Sequence, residues 1–316
     1  MRIALAILAA AVIAVALCVL IGFAPTHHPV RPTTSLGVAR SSRDLRAVLD
    51  TPGPVVLETV NSADWAVTRD GLINLKHPKA VAAGLTDSDE PIQIFFHALH
   101  HPTKGLFIVD TGVEKALRDQ PDHAAIRGLV SSAMHLEKMK FHQPLGDYLA
   151  AHANEPLQGV LLTHLHLDHV TGMADVPAGT PVYTGPGEAT DRNVLNALMA
   201  PNIDRALAGK GDISEWPFQP DADNRFDGVV DVFGDGSVWA LWVPGHTAGT
   251  TAYLVRTTEG PVLLTGDSCH TRWGWDNEVE PGSFTADAPR GIASLGRLHA
   301  LVKEHPAINV RLGHQR

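Results

Sequence analysis

The chain has 316 residues, of which 44% are hydrophobic and 19% are charged, and its formal net charge is −9. This composition is typical of a globular protein and excludes a disordered one. The acidic balance, with no basic run longer than two residues, argues against a nucleic-acid partner.

The chain begins with an apolar run. Ile3 to Phe23 contains no charged side chain, and about 20 apolar residues suffice for a helix to cross a bilayer. We therefore predict an N-terminal hydrophobic helix within residues 1–23, as an uncleaved transmembrane anchor or, alternatively, a cleaved signal segment. Because Arg2 is the only early charge, we expect a catalytic domain outside the cytoplasm, periplasmic or extracellular, that contacts the membrane through this segment.

The rest of the chain predicts one domain behind a linker. Residues 24–50 are rich in Pro, Ser, Thr and Arg and predict the linker. Residues 51–316 mix short β-branched runs with helical patterns, the latter within 124–151, 189–207 and 289–303. This mixture predicts an α+β fold. Only two cysteines occur, so no disulfide framework is expected, and no oligomeric state is predicted.

One predicted strand is followed by a cluster of metal-binding side chains. The apolar run GVLLT precedes HLHLDH, which places His164, His166, Asp168 and His169 directly after the strand. Side chains two apart in an extended segment point the same way, so His164 and His166 should converge on one point. Asp168 and His169 lie beyond the turn and can serve a second ion.

Three later strand ends carry one candidate ligand each. His246 follows SVWALWV, Asp267 follows LLTG, and His314 follows RLG. A single polar residue in a glycine-flanked turn indicates only a turn. Four such strand ends in order, however, predict a metal centre assembled from distant segments of the chain.

The series THLHLDH, PGHTAG, LLTGDS and LGH, within residues 55–316, resembles the metallo-β-lactamase-fold hydrolases. The resemblance implies an αββα four-layer sandwich with two divalent metal ions, expected to be Zn²⁺, at one edge of its two sheets. It also implies a supporting role for Asp110 in the turn VDTG. It assigns seven metal ligands: His164, His166 and His246 to the first ion, Asp168, His169 and His314 to the second, and Asp267 to both.

Within this family, the residues are most similar to N-acyl-homoserine lactone lactonases. Diiron redox members carry Glu at the position of His166, and true β-lactamases of this fold carry Cys or Ser at the position of Asp267. The resemblance implies that a metal-bridging hydroxide opens the ester bond of a small acyl-lactone, with Asp168 as a catalytic residue. The lactonases often carry Tyr at the position of His270, which is predicted here as a second catalytic residue or else an exposed loop histidine.

The sequence is also compatible with other functions. A β-lactamase or a general carboxylesterase on the same fold is the alternative enzyme. A structural metal-binding domain is disfavoured, because seven ligands around two ions leave positions open to water. For an acyl tail, Trp216, Trp273 and Trp275 are candidate wall residues, and residues 189–207 are a candidate lid.

Overall fold

The computed structural model describes residues 22–33, 35–193 and 196–316. The predicted N-terminal hydrophobic helix, residues 1–23, therefore lies outside the described residues apart from its last two. The prediction of a membrane-anchored or exported protein is contradicted. Across the described ranges, no helix combines the length and apolarity needed to cross a bilayer.

Fourteen strands and ten α-helices form the described part of the chain. The strands are β1 (Val30–Pro32), β2 (Val38–Arg40), β3 (Val56–Thr68), β4 (Asp89–His101), β5 (Gly105–Val109), β6 (Lys140–Phe141), β7 (Leu157–Leu161), β8 (Val182–Thr184), β9 (Ile213–Glu215), β10 (Gly228–Asp231), β11 (Val238–Trp242), β12 (Thr251–Thr257), β13 (Gly260–Leu264) and β14 (Asn309–Arg311). The α-helices are α1 (Ser42–Val48), α2 (Arg69–Leu72), α3 (Pro78–Ala82), α4 (Lys115–Asp119), α5 (Leu129–Ala133), α6 (Leu145–Ala151), α7 (Leu167–Val170), α8 (Asn196–Leu207), α9 (Arg272–Asp276) and α10 (Ala288–Glu304). Short 3₁₀ helices occupy Pro121–His123, Leu136–Lys138, Thr171–Asp175 and Gly266–Ser268.

The strands form two sheets. The order is β1-β9-β8-β7-β5-β4-β3-β6 in the first sheet and β14-β13-β12-β11-β10-β2 in the second. Strands β3, β4 and β5 pair antiparallel, whereas β5, β7, β8 and β9 run parallel. In the second sheet, β14 pairs parallel with β13. Because parallel neighbours end at the same edge of a sheet, the loops after β5 and β7 lie together, as do those after β13 and β14.

Side chains along the central strands alternate between two faces. In β5, Leu106 and Ile108 pack towards the helices, whereas Phe107 and Val109 face the second sheet. Strands β11 and β12 alternate in the same way. Three apolar cores result, one between the sheets and one outside each sheet. Three cores require four layers, so the predicted αββα sandwich is confirmed.

Residues 24–50, predicted to be a linker, contribute to both sheets. Strand β1 extends the first sheet beside β9, and β2 extends the second beside β10. Helix α1 begins with a capping box, in which the Ser41 and Asp44 side chains each accept a hydrogen bond from the other's backbone N–H. Leu45 of α1 is fully buried in the outer core of the second sheet. Much of this stretch is therefore part of the folded domain.

The helix predicted within 124–151 is replaced by short elements. Helices α5 and α6 are separated by a 3₁₀ turn and by β6. Gly128 and His135 have φ angles of 71° and 51°, which a right-handed helix cannot contain. Helix α10 agrees with the helix predicted at 289–303, and it buries one stripe of leucines against the second sheet.

Replacing Leu45 by Ala should lower the free energy of unfolding by about 3 kcal/mol, because the substitution removes buried methyl groups and leaves a cavity. Leu198→Ala is the matched control, since Leu198 also lies in a helix but is 62% exposed. The control should change the free energy by less than about 0.5 kcal/mol. Urea unfolding followed by circular dichroism measures both. Equal effects in the two variants would contradict the packing of α1 in the core.

Candidate metal centre

Four loops meet at one edge of the sandwich, and they follow β7, β11, β13 and β14. The loop after β7 contacts the second sheet directly, because the Thr251 N–H at the start of β12 donates to the Thr163 carbonyl at 2.9 Å. The loops after β13 and β14 are joined by the His314 N–H, which donates to the His270 carbonyl at 3.1 Å. Strand ends from both sheets therefore converge on one point.

The first group of candidate ligands contains His164, His166, His246 and Asp267. His246 Nε2 lies 2.8 Å from His166 Nδ1. The Nε2 atoms of His164 and His246 lie 3.7 and 3.5 Å from Asp267 Oδ2. All four donor atoms lie within 4.8 Å of one another, so one cation could contact the whole group.

The second group contains Asp168, His169, His314 and, again, Asp267. His169 Nε2 lies 3.3 Å from Asp267 Oδ1, on the opposite oxygen from the first group. His314 Nε2 lies 3.2 Å from Asp168 Oδ2 and 3.3 Å from Asp267 Oδ2. The structure thus brings together all seven side chains predicted from the sequence, and one carboxylate belongs to both groups.

Several donor atoms in the two groups are buried and unpaired. Nε2 of His164, Nε2 of His169 and Oδ1 of Asp267 make no hydrogen bond within the described residues. Burying polar atoms without a partner costs free energy, and cations held by the two groups would satisfy all three. Imidazole nitrogen and carboxylate oxygen are the donors that zinc and similar divalent ions accept. These residues therefore fit a metal centre.

The charges within the site depend on one another. Burial lowers the pKa of His164 and of His246 well below its usual value, so both rings are neutral and offer a lone pair. Burial also opposes charge on His314, but Asp267 and Asp168 outweigh it and raise the pKa of His314 to about 10. That positive ring helps to hold the pKa of Asp267 well below its usual range, although burial acts against this. A bound cation would take over the role of the protonated ring.

Asp110 orients one histidine of the second group. The residue adopts the left-handed conformation (φ 54°) at the end of β5. Its carboxylate accepts hydrogen bonds from the Thr163 N–H and from His169 Nδ1, both at 2.8 Å. Since His169 Nδ1 donates, the Nε2 lone pair is left for a metal ion. His314 is oriented similarly, because its Nδ1 lies 3.0 Å from the Gln93 carbonyl.

Glu188 is a supporting residue that the sequence analysis missed. It is buried, and its Oε1 accepts a hydrogen bond at 2.8 Å from the N–H of Leu165 in the HLH segment. Its Oε2 accepts hydrogen bonds from Thr247 Oγ1 at 2.5 Å and the Gly249 N–H at 2.9 Å, just beyond His246. One carboxylate therefore links the two loops that carry the three histidines of the first group, and burial raises the pKa of Glu188. Its sequence context, GPGE after β8, indicates only a turn.

Two glycines are required by close approach to the site. A Cβ atom at Gly313 would lie 2.2 Å from Asp267 Oδ1. Gly266 has a φ angle of 50°, and a Cβ atom there would lie 2.8 Å from the Cβ of Thr163. Gly266 therefore lets the loop after β13 approach the end of β7, and Gly313 lets the loop after β14 approach Asp267.

His270 lies against both groups without belonging to either. It is 1% exposed, so it is not an exposed loop histidine. Its Nε2 lies 3.1 Å from Asp267 Oδ2, and its ring stacks on His314 with centroids 5.7 Å apart. The site meets solvent at His166, which is exposed, and at Asp168, which is partly exposed.

Two of the tryptophans predicted as substrate wall are core residues. Trp216 lies between the sheets, where its Nε1 donates to the Tyr253 hydroxyl at 3.0 Å. Trp275 is buried in the outer core of the second sheet and stacks on His299 at 3.9 Å. Trp273 is partly exposed and packs against the helical core of the first sheet.

Comparison with known proteins agrees with this geometry. Residues 91–298 match the family described as the Metallo-beta-lactamase superfamily. The chain is 30% identical over 164 residues to the N-acyl homoserine lactonase AttM of Agrobacterium fabrum. The aligned region covers 49% of this chain and 57% of that relative. It is 28% identical over 214 residues to an N-acyl homoserine lactonase of a Bacillus species. That aligned region covers 65% of this chain and 75% of the relative. The chain thus spans little more than half the length of the Agrobacterium relative.

Solved structures share the fold at low sequence identity. A quorum-quenching N-acyl homoserine lactone lactonase superimposes with a TM-score of 0.57 at 19% identity, covering 84% of this chain and 94% of that one. A probable metal-dependent hydrolase from Staphylococcus aureus superimposes with a TM-score of 0.59 at 13% identity, covering 84% of this chain and 91% of that one. The family match includes six of the seven candidate ligands, all except His314. The chain therefore belongs to the metallo-beta-lactamase superfamily.

Proposed function

We propose that the protein is a metal-dependent hydrolase that opens the ester bond of a lactone, with N-acyl-homoserine lactones as its substrate class. The observation that carries the proposal is the shared carboxylate, since Asp267 lies between two groups of imidazole and carboxylate donors. Two relatives that are N-acyl homoserine lactonases support the substrate class. His166, where diiron redox relatives carry Glu, favours hydrolysis over redox chemistry.

The two groups would hold two divalent metal ions, which we propose to be Zn²⁺. Such ions supply hydroxide from water near neutral pH and stabilise the negative charge that develops on a carbonyl oxygen. Exposure of His166 and Asp168 leaves one side of the centre open to water and substrate. Structural zinc sites are closed by four protein ligands, so this opening favours catalysis over a structural role.

Asp168 and His270 are the residues that would handle the leaving alkoxide. Ring opening produces an alkoxide that must gain a proton. Asp168 lies at the solvent side of the second group, 3.2 Å from His314. Neither ring nitrogen of His270 makes a hydrogen bond within the described residues, although Nε2 lies 3.1 Å from Asp267 Oδ2. A substrate oxygen at His270 would therefore displace no existing hydrogen bond. We propose that His270 performs the task for which the resembling lactonases use Tyr.

The full-length protein loaded with Zn²⁺ should hydrolyse N-acyl-homoserine lactones with a higher kcat/KM than cephalosporins or p-nitrophenyl esters. The reason is that His270 can protonate the alkoxide that forms when the lactone ring opens. Acid release in a weakly buffered indicator assay measures the lactones, and absorbance measures the other substrates. Metal analysis should give two ions per chain, and chelation should abolish turnover until Zn²⁺ is restored. Cephalosporin turnover without lactone turnover would overturn the substrate class. Zero or one ion would overturn the dinuclear centre.

Replacing Gly313 by Ala should reduce the metal content, because the new methyl group would lie on Asp267 Oδ1. Gly296→Ala is the matched control, since nothing lies within 4 Å of a Cβ atom at that position. After dialysis, elemental analysis should show less than half of the native metal content in the first variant and no loss in the second. Circular dichroism confirms that both variants fold. Full retention of metal by the Gly313 variant would contradict the assignment of Asp267 as a ligand.

Replacing His270 by Phe should lower kcat for lactone opening by about 100-fold, the contribution typical of a lost proton donor. KM and metal content should stay near the native values, and Tyr at the same position should recover part of the rate. His152→Phe is the control, because His152 stacks on Tyr148 rather than on any candidate ligand. If the Phe variant instead loses a metal ion, His270 is a ligand and not a proton donor.

A further inference from the structure

A cavity of about 330 Å³ opens between the two sheets at the edge formed by β14. Its walls come from β3, from the turn between β12 and β13, and from the end of the described chain. Two guanidinium groups line it, those of Arg311 and Arg316, together with a single side-chain carboxylate, that of Glu259. The side chains that line the cavity therefore carry excess positive charge, in a chain whose formal net charge is −9.

Arg311 has no partner for its charge. Its Nε is buried and makes no hydrogen bond, and no carboxylate in the described ranges lies within 4.0 Å of its guanidinium. Other partly buried arginines do have such partners: Arg69 pairs with Glu90 at 2.7 Å, and Arg225 pairs with Glu304 at 2.8 Å. Because its Nε is buried without an acceptor and its charge has no counter-charge, an anion in the cavity would supply both.

Arg316 places a second guanidinium on the same wall. It donates to the Thr59 carbonyl at 3.1 Å and lies 5.5 Å over the Phe95 ring. No carboxylate of the described residues pairs with it either. Thr59 in turn contacts His97 through its hydroxyl at 2.9 Å. Burial, followed by the positive charges of Arg311 and Arg316, lowers the pKa of His97 to about 3, so this histidine is neutral.

We propose that this cavity is a second ligand site, separate from the metal centre, that binds a small oxyanion such as phosphate or the phosphate group of a monoester. Two planar guanidiniums match the oxygens of a tetrahedral anion, and the exposed Asn309 amide on the same wall can add a donor. Arg311 also lines a much smaller cavity, of about 10 Å³, together with Asp110 and His169. Arg311 therefore stands between the oxyanion site and the metal centre. The proposal does not depend on which substrate the metal centre hydrolyses.

Titration calorimetry of the full-length, metal-loaded protein with inorganic phosphate tests this, with chloride keeping the ionic strength constant. One phosphate should bind per chain, and Arg311→Gln should weaken binding by at least about tenfold, as expected for loss of a charged hydrogen-bond donor. Arg40→Gln, which removes an exposed positive charge elsewhere, should leave binding unchanged. Glu259→Gln should tighten binding, because it removes the only acidic side chain among the described residues of the cavity wall. Glycerol phosphate in place of phosphate distinguishes a monoester ligand from the free ion.

Three results would overturn the proposal. Native protein that shows no saturable phosphate binding has no such site. Equal affinity in the Arg311→Gln variant, with its fold confirmed by circular dichroism, would show that the guanidinium is not used. Binding that disappears when the metal is chelated, but survives Arg311→Gln, would place the phosphate on the metal ions.

Discussion

The site depends on one buried carboxylate. Asp267 is 2% exposed, and a charged carboxylate at that depth is costly unless positive charge or donors surround it. Five imidazole Nε2 atoms approach its two oxygens at 3.1 to 3.7 Å: those of His164, His169, His246, His270 and His314. These rings come from four different loops. Stabilising this one charge therefore requires both sheets to end their strands at the same place.

The fold meets that requirement mainly through backbone contacts and buried supports. Asp110 links the end of β5 to the histidine cluster after β7, and Glu188 links that cluster to the loop after β11. Gly313 lets the last loop touch Asp267 directly. None of these three residues belongs to a ligand group. Each shortens the distance between elements far apart in the sequence, so the donor atoms are held before any ion arrives.

The grouping of the candidate metal ligands was predictable from the sequence because its signal is local. HLHLDH after an apolar strand is informative by itself, and His246, Asp267 and His314 each repeat the same pattern of strand followed by ligand. Glu188 was not predictable, since its importance lies in contacts with loops more than 20 positions before it and nearly 60 positions after it. The linker prediction for residues 24–50 followed composition, but short polar strands are typical of sheet edges, where pairing is decided by the neighbouring strand. The position of Trp216 was likewise not predictable from the sequence, because the pairing of β9 with β8 places that ring between the sheets.

The same contacts separate the candidate metal ligands from the residue that we propose to face a substrate. The seven candidate ligands are fixed by strand ends, buried carboxylates and glycine contacts, so a change in any one of them disturbs the others. His270 differs, because it belongs to neither ligand group. Its Nε2 lies 3.1 Å from Asp267 Oδ2 and its ring stacks on His314, but neither ring nitrogen makes a hydrogen bond within the described residues. A substitution there can alter the group that faces a substrate oxygen while Asp267 keeps its other four imidazoles. Under the proposed function, position 270 is where this scaffold can change its chemistry without disturbing the seven candidate ligands.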